Sequence, residues 1–314
     1  MKKTGPRKKK ASDKVLENAS LPTEKKEPIF NILEFIFLVY GREKIGKTTL
    51  LSSFEDTMFI TTEPGTKGLV IFEFLDRPVK DWSEVLQAVE LLEKDKKRFK
   101  LIVIDTADRA YDMCMDWVCE QRNIEYPGKD DDGKEDFGRS WRAVKQEFTD
   151  VIHRIIRTGR GVAFTSHMKE TSLSSRSGLK YDRIYPSMGN QARAIIEALV
   201  DLYFFADYVR DMEGNTRRVL ITEGDETIWA GHRKTQGKMP TFLPLLEENG
   251  FEVLEQAFRG EHPGIDPTEL MIGKQTAGTT AKFIGGEQAK AAKKKMGART
   301  KGGKRPAKKK RIRE

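Results

Sequence analysis

Residues 41–48 read GREKIGKT, and their types and spacing suit a backbone loop that wraps around phosphate groups. Gly41 and Gly46 allow the chain to turn its N–H groups toward the phosphates, Lys47 can reach the β- and γ-phosphates, and Thr48 can place its hydroxyl on Mg²⁺. The pattern predicts a bound nucleotide and Mg²⁺. The predicted nucleotide-binding residues are Gly41, Arg42, Glu43, Lys44, Ile45, Gly46, Lys47, Thr48 and Thr49.

Two carboxylates follow apolar stretches that have the character of buried strands. Asp105 ends the stretch 100–105 and is predicted, with Thr48, to hold the metal. Thr106 stands where many ATPase motors carry a glutamate base, so Glu63, after the stretch 58–62, is the better candidate to orient or deprotonate water. Adjacent parallel strands present their carboxyl ends to one crevice, which would bring both acids together. The alternative for Glu63 is an ordinary turn residue.

The elements that must position these residues alternate between short apolar strands and amphipathic helices. This order predicts an α/β fold with a mostly parallel central sheet and helices on both faces. The predicted strands are 32–40, 58–62, 100–105, 161–166, 202–205, 208–210, 217–222 and 227–230. The predicted helices are 47–54, a helix from the capping residue Asp81 to about residue 92, 107–122, 139–157, 189–199 and 243–258. Residues 126–138 and the polar segment 169–185 are predicted as loops, the second of them mobile.

The net charge of +9 is unevenly distributed along the 314 residues. Residues 290–314 hold 13 Lys/Arg against one Glu, a net charge of +12, and residues 1–27 hold nine Lys/Arg against four acids, a net charge of +5. Subtracting both from +9 leaves a net charge of −8 on residues 28–289. We therefore predict disordered basic tails at 1–27 and 290–314, an ATPase domain at 28–258 and a linker at 259–289. The final tail could be a solubilising end, an anchor for DNA or RNA phosphates, or a nuclear-localisation signal.

Targeting and redox signals are sparse. No stretch approaches the length of a membrane span, and the basic N-terminus lacks a signal peptide's apolar segment, so we expect a cytoplasmic protein that does not contact a membrane. Cys114 and Cys119 lie five residues apart with no His or Cys grouping around them, which gives no indication of zinc.

Three further motifs complete a resemblance to a known family. They are Thr62-Glu63-Pro64 after the second strand, Thr165-Ser166-His167 at a later strand end, and Ala230-Gly231-His232-Arg233 followed by Met239-Pro240. With the phosphate loop, they resemble the RecA-like recombination ATPases, in particular the phage and prophage nucleotide-binding proteins of single-strand annealing and recombination. The resemblance covers residues 33–245.

The resemblance implies roles for individual residues. Glu63 and Lys47 would act in catalysis, His167 would sense the γ-phosphate, and Arg233 would reach into a neighbouring subunit's ATP. Gly231 departs from the family, which has a lysine there, and Lys234 or Lys238 could substitute. The alternatives are a hydrogen-bonded structural histidine and an ordinary exposed arginine.

The resemblance also implies partners. Residues 169–185 would be a DNA-binding loop whose Lys169, Arg176, Lys180 and Arg183 meet phosphates and whose Tyr181 or Tyr185 stacks on bases. The protein would act on single-stranded DNA without sequence preference, as a homo-oligomer, with a single-strand-binding protein as a possible partner in phage recombination, repair or replication.

Two other function classes stay open at this stage. A small-molecule or nucleoside kinase could use the same phosphate loop, with residues 169–183 as a lid. A nucleotide-gated DNA- or partner-binding module would bind ATP tightly without turnover. Stimulation of phosphate release by DNA separates these classes, because a kinase should ignore DNA.

Overall fold

The computed structural model describes residues 21–95, 98–176, 178, 180–233 and 239–271. Residues 1–20 of the predicted N-terminal tail, the linker beyond 271 and the whole of the tail 290–314 lie outside this description, as do Lys234 and Lys238. The helices are α1 (Lys47–Ser52), α2 (Trp82–Lys94), α3 (Ala107–Arg122), α4 (Arg139–Arg157), α5 (Asn190–Leu199) and α6 (Gly250–Arg259).

Within the described residues, ten strands form one hydrogen-bonded sheet system. They are β1 (Ile36–Gly41), β2 (Thr57–Thr61), β3 (Phe72–Glu73), β4 (Leu101–Asp105), β5 (Gly161–Ser174), β6 (Lys180–Pro186), β7 (Leu202–Arg210), β8 (Thr216–Ile221), β9 (Gly231–His232) and β10 (Phe242–Pro244). The order is β10-β8-β7-β1-β5-β4-β2-β3, with β6 beside β5 and β9 beside β7. Strands β7 through β3 along this order run parallel, and β8, β10, β9 and β6 pair antiparallel.

Each face of the sheet carries its own apolar core, because strand side chains alternate between the faces. Leu38 and Tyr40 of β1 belong to a core covered by α2, α3, α4 and α5, whereas Phe37 and Val39 belong to a second core with α1 and α6. All four side chains are fully buried. The predicted α/β fold with a mostly parallel sheet and helices on both faces is therefore confirmed.

Several predicted elements agree with the structure residue by residue. Helices α3 and α4 have the predicted bounds, and α2 begins after Asp81, whose carboxylate accepts hydrogen bonds from the backbone N–H groups of Ser83 and Glu84. The predicted hairpin through Glu213-Gly214-Asn215 joins β7 and β8. The strands predicted at 202–205 and 208–210 are one continuous strand, β7.

Three boundary predictions were wrong. Residues 32–34 form a 3-10 turn in which Asn31 caps Leu33 N, so the first strand starts only at Ile36. Residues 227–230 are not a strand; Ile228 makes a single bridge to Ile184, and the strand β9 follows it. Residues 242–244 pair with β8 instead of opening the last helix, because Pro244 suits an edge strand and lacks the N–H that a helix interior needs.

The polar segment 169–185 is also not the loop that was predicted. Met168 to Ser174 of β5 pairs with Lys180 to Pro186 of β6 as an antiparallel hairpin. Its serine content suggested a loop, but Thr171, Ile184, Tyr181 and Tyr185 supply the β-branched and aromatic side chains that favour strands. Gly178, at φ +82°, lies in the turn.

The described chain continues past residue 258 in contact with the core. Ile265 N donates to Phe242 O, Met271 N donates to Arg210 O, and Leu270 is buried. Among the described residues, no helix combines the length and apolar character needed to cross a bilayer.

Candidate functional site

The phosphate loop lies between the carboxyl end of the central strand β1 and helix α1. Gly41 pairs with His167 of β5 on one side and with Ala206 of β7 on the other. Gly46, at φ +112°, makes the left-handed turn into the helix, a conformation that favours glycine. Ile45 is fully buried in the second core and anchors the loop from below. The loop is therefore fixed at both ends and in its middle.

Lys47 is buried at the base of this loop. Its ammonium donates hydrogen bonds to Gly41 O at 3.1 Å and to Arg42 O at 2.8 Å. Burial lowers the pKa of Lys47, and the carboxylates around it, Asp105 foremost, act in the opposite direction. A lysine in this setting loses part of its hydration before any anion arrives, which favours its pairing with phosphate.

Asp105 connects the loop to the end of β4. One carboxylate oxygen accepts a hydrogen bond from Thr48 Oγ1 at 2.7 Å, and the other accepts one from Thr165 Oγ1 of β5. A hydroxyl and a carboxylate side by side are the hard oxygen ligands that Mg²⁺ takes when substrate phosphates complete its shell. Among the described residues, no group of three or more His, Cys, Asp or Glu side chains gathers closely enough to hold a metal ion by itself.

Glu63 lies at the end of β2, next to Asp105 of β4, because Thr61 pairs with Asp105 in the parallel register. Its Oε1 accepts a hydrogen bond from Thr106 Oγ1 at 3.0 Å, and its Oε2 lies 3.3 Å from His167 Nε2. A carboxylate only accepts, so Nε2 carries the proton. The backbone behind it is tied as well, since Thr106 N donates to Thr62 Oγ1 at 2.8 Å.

These groups open onto one cleft of about 610 Å³ at the carboxyl edge of the sheet. The residues that line it are Glu43, Lys44, Gly46, Lys47, Thr48, Thr49, Glu63, Pro64, Gly65, Thr66, Gly68, Leu69, Asp105, Thr106, His167, Arg218 and Glu247. The volume is in the range of small-molecule and cofactor sites. Loop, metal ligands and candidate base thus face the same space.

A family model described as "AAA domain" matches residues 34–234, nearly two thirds of the chain. The chain belongs to this family. An AAA domain carries a phosphate loop, and membership suggests nucleotide binding and, in general, ATPase activity. The matched range contains the phosphate loop, both acids and the hairpin.

The chain is also similar to a solved structure, the KaiC-like protein PH0186 from the hyperthermophilic archaeon Pyrococcus horikoshii OT3. The two share 12% sequence identity with a TM-score of 0.35, over 64% of this chain and 83% of the other. No curated protein matches the sequence.

The AAA domain brings most of the predicted site residues together, with Arg42 and Arg233 as exceptions. Arg42 points to the rim, where it pairs with Asp207 at 3.4 Å. Arg233 follows β9, which pairs with the start of β7 at Leu202. Leu202 lies about 13 Å along β7 from Ala206, the residue that pairs with Gly41. Its exposed guanidinium pairs with Asp201, so it does not reach this chain's own cleft.

Sequence reasoning missed two groups at the AAA domain's cleft. Thr106, considered only as the absence of a glutamate, supports Glu63 through its hydroxyl. Arg218 of β8 enters the cleft from the opposite side of the sheet order, with its Nη2 2.6 Å from Glu247 Oε1. No local pattern distinguishes Arg218 from its neighbour Arg217, so only the strand order reveals it.

Proposed function

We propose that this AAA-domain protein hydrolyses ATP with Mg²⁺ and that single-stranded DNA bound at the β5–β6 hairpin stimulates the reaction. The observation that carries the proposal is the double contact of Glu63, with Thr106 and with His167, beside a phosphate loop and a Thr48–Asp105 pair. A carboxylate held this way is preoriented to work on a water molecule.

The residues suit ATP and Mg²⁺ by their chemistry. Thr48 and Asp105 would ligate the ion, which would neutralise phosphate charge and polarise the phosphoryl group. Lys47 would hold the phosphates with its buried ammonium. Glu63 retains free lone pairs beside its two contacts, and it would accept a hydrogen bond from the attacking water and take its proton. Catalysis of this type consists mainly of positioning and charge stabilisation.

The connection to DNA is proposed from the course of β5. His167, which touches Glu63, is followed directly by the hairpin, and Ser187 at the hairpin's other end is tied to both sides of the site. Ser187 N donates to His167 O at 2.9 Å, and Ser187 Oγ donates to Asp108 at the start of α3. A change at the Glu63–His167 contact would therefore act on the base of the hairpin.

A groove of about 280 Å³ between the hairpin and α5 has the composition of a single-strand site. It is lined by Leu173, Arg183, Tyr185, Arg193, Glu197 and Trp229. The Arg193 guanidinium lies 4.5 Å from the centre of the Tyr185 ring, and the hydrogen bond of Thr171 with the Tyr185 hydroxyl lowers the pKa of that phenol. Arginines for phosphates and aromatic rings for bases are the two components of nonspecific single-strand binding.

The test of the DNA part is the rate of phosphate release from Mg-ATP with and without an unstructured single-stranded oligonucleotide. We expect stimulation in the wild type, and Arg183→Gln should lose stimulation while keeping the basal rate. The matched control is Lys180→Gln, because Lys180 lies on the opposite face of the same strand and does not line the groove. We expect it to keep stimulation, although the resemblance implied a phosphate contact for Lys180. Equal stimulation of both variants would refute the groove as the DNA site. Transfer of phosphate to a small molecule, whether or not DNA is present, would favour a kinase. Binding of ATP without turnover would favour a nucleotide-gated module.

The test of the base is Glu63→Gln, which keeps the shape but removes the negative charge. We expect ATP binding to persist while turnover falls by about 10²- to 10⁴-fold, the usual contribution of a positioned base. Glu248→Gln, on the exposed segment before α6, is the control for loss of a nearby charge. Turnover at the wild-type rate in Glu63→Gln would remove Glu63 from the mechanism.

The roles of Arg233 in a neighbouring subunit and of the protein in recombination, repair or replication are part of the same proposal. Arg233 is exposed at the opposite edge of the sheet from its own loop, as a residue acting on another subunit must be. Sedimentation of the protein with ATP and single-stranded DNA should show a homo-oligomer, and mixing Arg233→Ala chains with Lys47→Ala chains should fail to restore turnover if Arg233 acts within its own chain.

A further inference from the structure

Arg218 stands on the wall of the cleft that faces away from the acids. In the sheet order, β8 lies on one side of β1, and the strands that carry Asp105 and Glu63 lie on the other. Arg218 Nη1 is 3.4 Å from the position that a Cβ on Gly46 would occupy, so the guanidinium touches the phosphate loop itself. Arg218 and its partner Glu247 therefore line the wall of the cleft opposite Asp105 and Glu63.

The charge of the cleft calls for such a group. Its described lining carries Glu43, Glu63, Asp105 and Glu247 against Lys44, Lys47 and Arg218. A nucleoside triphosphate with one Mg²⁺ adds further negative charge. A lysine ammonium neutralises such charge only as a compact point charge, without a planar pair of donors. Arg218 is the guanidinium among the described lining residues, and a guanidinium can bind phosphate oxygens through two parallel hydrogen bonds.

The backbone of Arg218 is held by two main-chain contacts, whereas its guanidinium is held by one exposed ion pair. Arg218 pairs with Tyr208 of β7 on one side, and its carbonyl accepts from Leu245 N at 3.1 Å on the other. Its partner Glu247 is 66% exposed, and an ion pair at a solvent-exposed rim is weak. Exchanging Glu247 for a phosphate group therefore costs little, and the fixed strand limits where the guanidinium can go.

The geometry points to Arg218 as a nucleotide-binding residue that holds the phosphates of both ATP and ADP from the wall opposite Glu63, with Glu247 as its partner in the free protein. This inference rests on the proposed nucleotide site and adds a contact from the same chain. Because Arg218 approaches the loop from the side away from Asp105 and Glu63, it contributes to affinity and not to the cleavage step.

The experiment measures the Kd of Mg-ATP and Mg-ADP by calorimetry, together with turnover at saturating ATP, in the purified full chain. Arg218→Gln should weaken binding of both nucleotides at least tenfold and raise the KM for ATP by a larger factor than it lowers turnover at saturating ATP, while Arg218→Lys should recover part of the affinity. Glu247→Gln, which frees Arg218, should leave affinity unchanged or raise it.

Arg217→Gln is the matched control. Arg217 neighbours Arg218 on β8 and pairs with Asp211 at 2.8 Å instead of lining the cleft, so its replacement should leave both Kd values unchanged. Thermal unfolding of each variant separates misfolding from loss of a contact. If Arg218→Gln bound both nucleotides as tightly as the wild type, or lost only turnover, the role of Arg218 would be refuted and the proposed function would stand. Absence of nucleotide binding in the folded wild type would overturn both this inference and the proposed function.

Discussion

Replacing Gly41 by alanine tests the central claim that the phosphate loop is fixed by its neighbours in the sheet. A Cβ at this position would lie 2.2 Å from the carbonyl oxygen of Ala206 and 3.1 Å from its carbonyl carbon. Because an ordinary van der Waals contact of a Cβ lies at 3.4–4 Å, either the loop or β7 must move by about 1 Å. The obstacle is backbone in the middle of the sheet, with β5 on the other side, so no flexible side chain can yield.

The expected cost follows from overpacking. Forcing one extra carbon into a close-packed site destabilises a protein by about 1–3 kcal/mol. For a domain of this size that corresponds to a melting temperature lower by about 2–12 °C. The displaced loop should also bind Mg-ATP at least tenfold more weakly, since nucleotide binding depends on the placement of the loop's N–H groups.

Gly65→Ala is the control, because Gly65 lines the same cleft and its added Cβ would meet nothing within 4 Å. Differential scanning calorimetry with and without Mg-ATP measures stability and binding together. Wild-type melting and wild-type binding in Gly41→Ala would show that the loop tolerates displacement and that the close approach to Ala206 does not fix it.

Two further predictions concern the supporting structure. Hydrogen bonds from the guanidinium of Arg77 lower the pKa of Glu84 from its ordinary 4.5 to about 2, so the pair stabilises the fold above pH 4.5 and the benefit is lost as the pH falls toward 2. Glu84→Gln should therefore lower the melting temperature by about 1–3 °C at pH 7. Thermal unfolding measured between pH 7 and pH 2 should show this difference shrinking below pH 4.5. Arg160 is buried and donates to the main-chain carbonyls of Leu92, Asp95 and Phe99, at and beyond the end of α2. Arg160→Met should cost about 1–3 kcal/mol in urea unfolding because the buried carbonyl of Leu92 loses its donor. Arg157→Met, at an exposed position, should cost far less, and equal unfolding midpoints for the two variants would contradict this role of Arg160.

How far the sequence predicts this molecule depends on whether the signal is local. Helices α3 and α4 are long and strongly periodic, so their bounds could be predicted, and Asp81 has the capping chemistry that marks the start of α2. The phosphate loop is likewise a contiguous pattern. The hairpin after His167 was missed because its pairing joins residues whose serines, read one at a time, favour a loop.

The rest depends on which strands become neighbours. That Glu63 and Asp105 meet requires β2 beside β4, and the rule for parallel strands could suggest it but not establish it. The positions of Arg218 and Arg233 are set by β8 and β9 pairing with opposite ends of β7. Nothing in the residues around either arginine carries that information, so Arg218 was overlooked, and the role of Arg233 in a neighbouring subunit stays a prediction.

Strand β5 continues without interruption from the interior of the sheet into the β5–β6 hairpin. From His167 to its end at Ser174 it extends about 23 Å at the ordinary rise of a strand. If this part of β5 tilted as a rigid unit by roughly 5° about His167, its end at Ser174 would move by about 2 Å. The displacement of the hairpin tip for a given tilt is thus set by the length of β5. Adding or removing two residues in the hairpin would change that displacement without altering the contacts at His167.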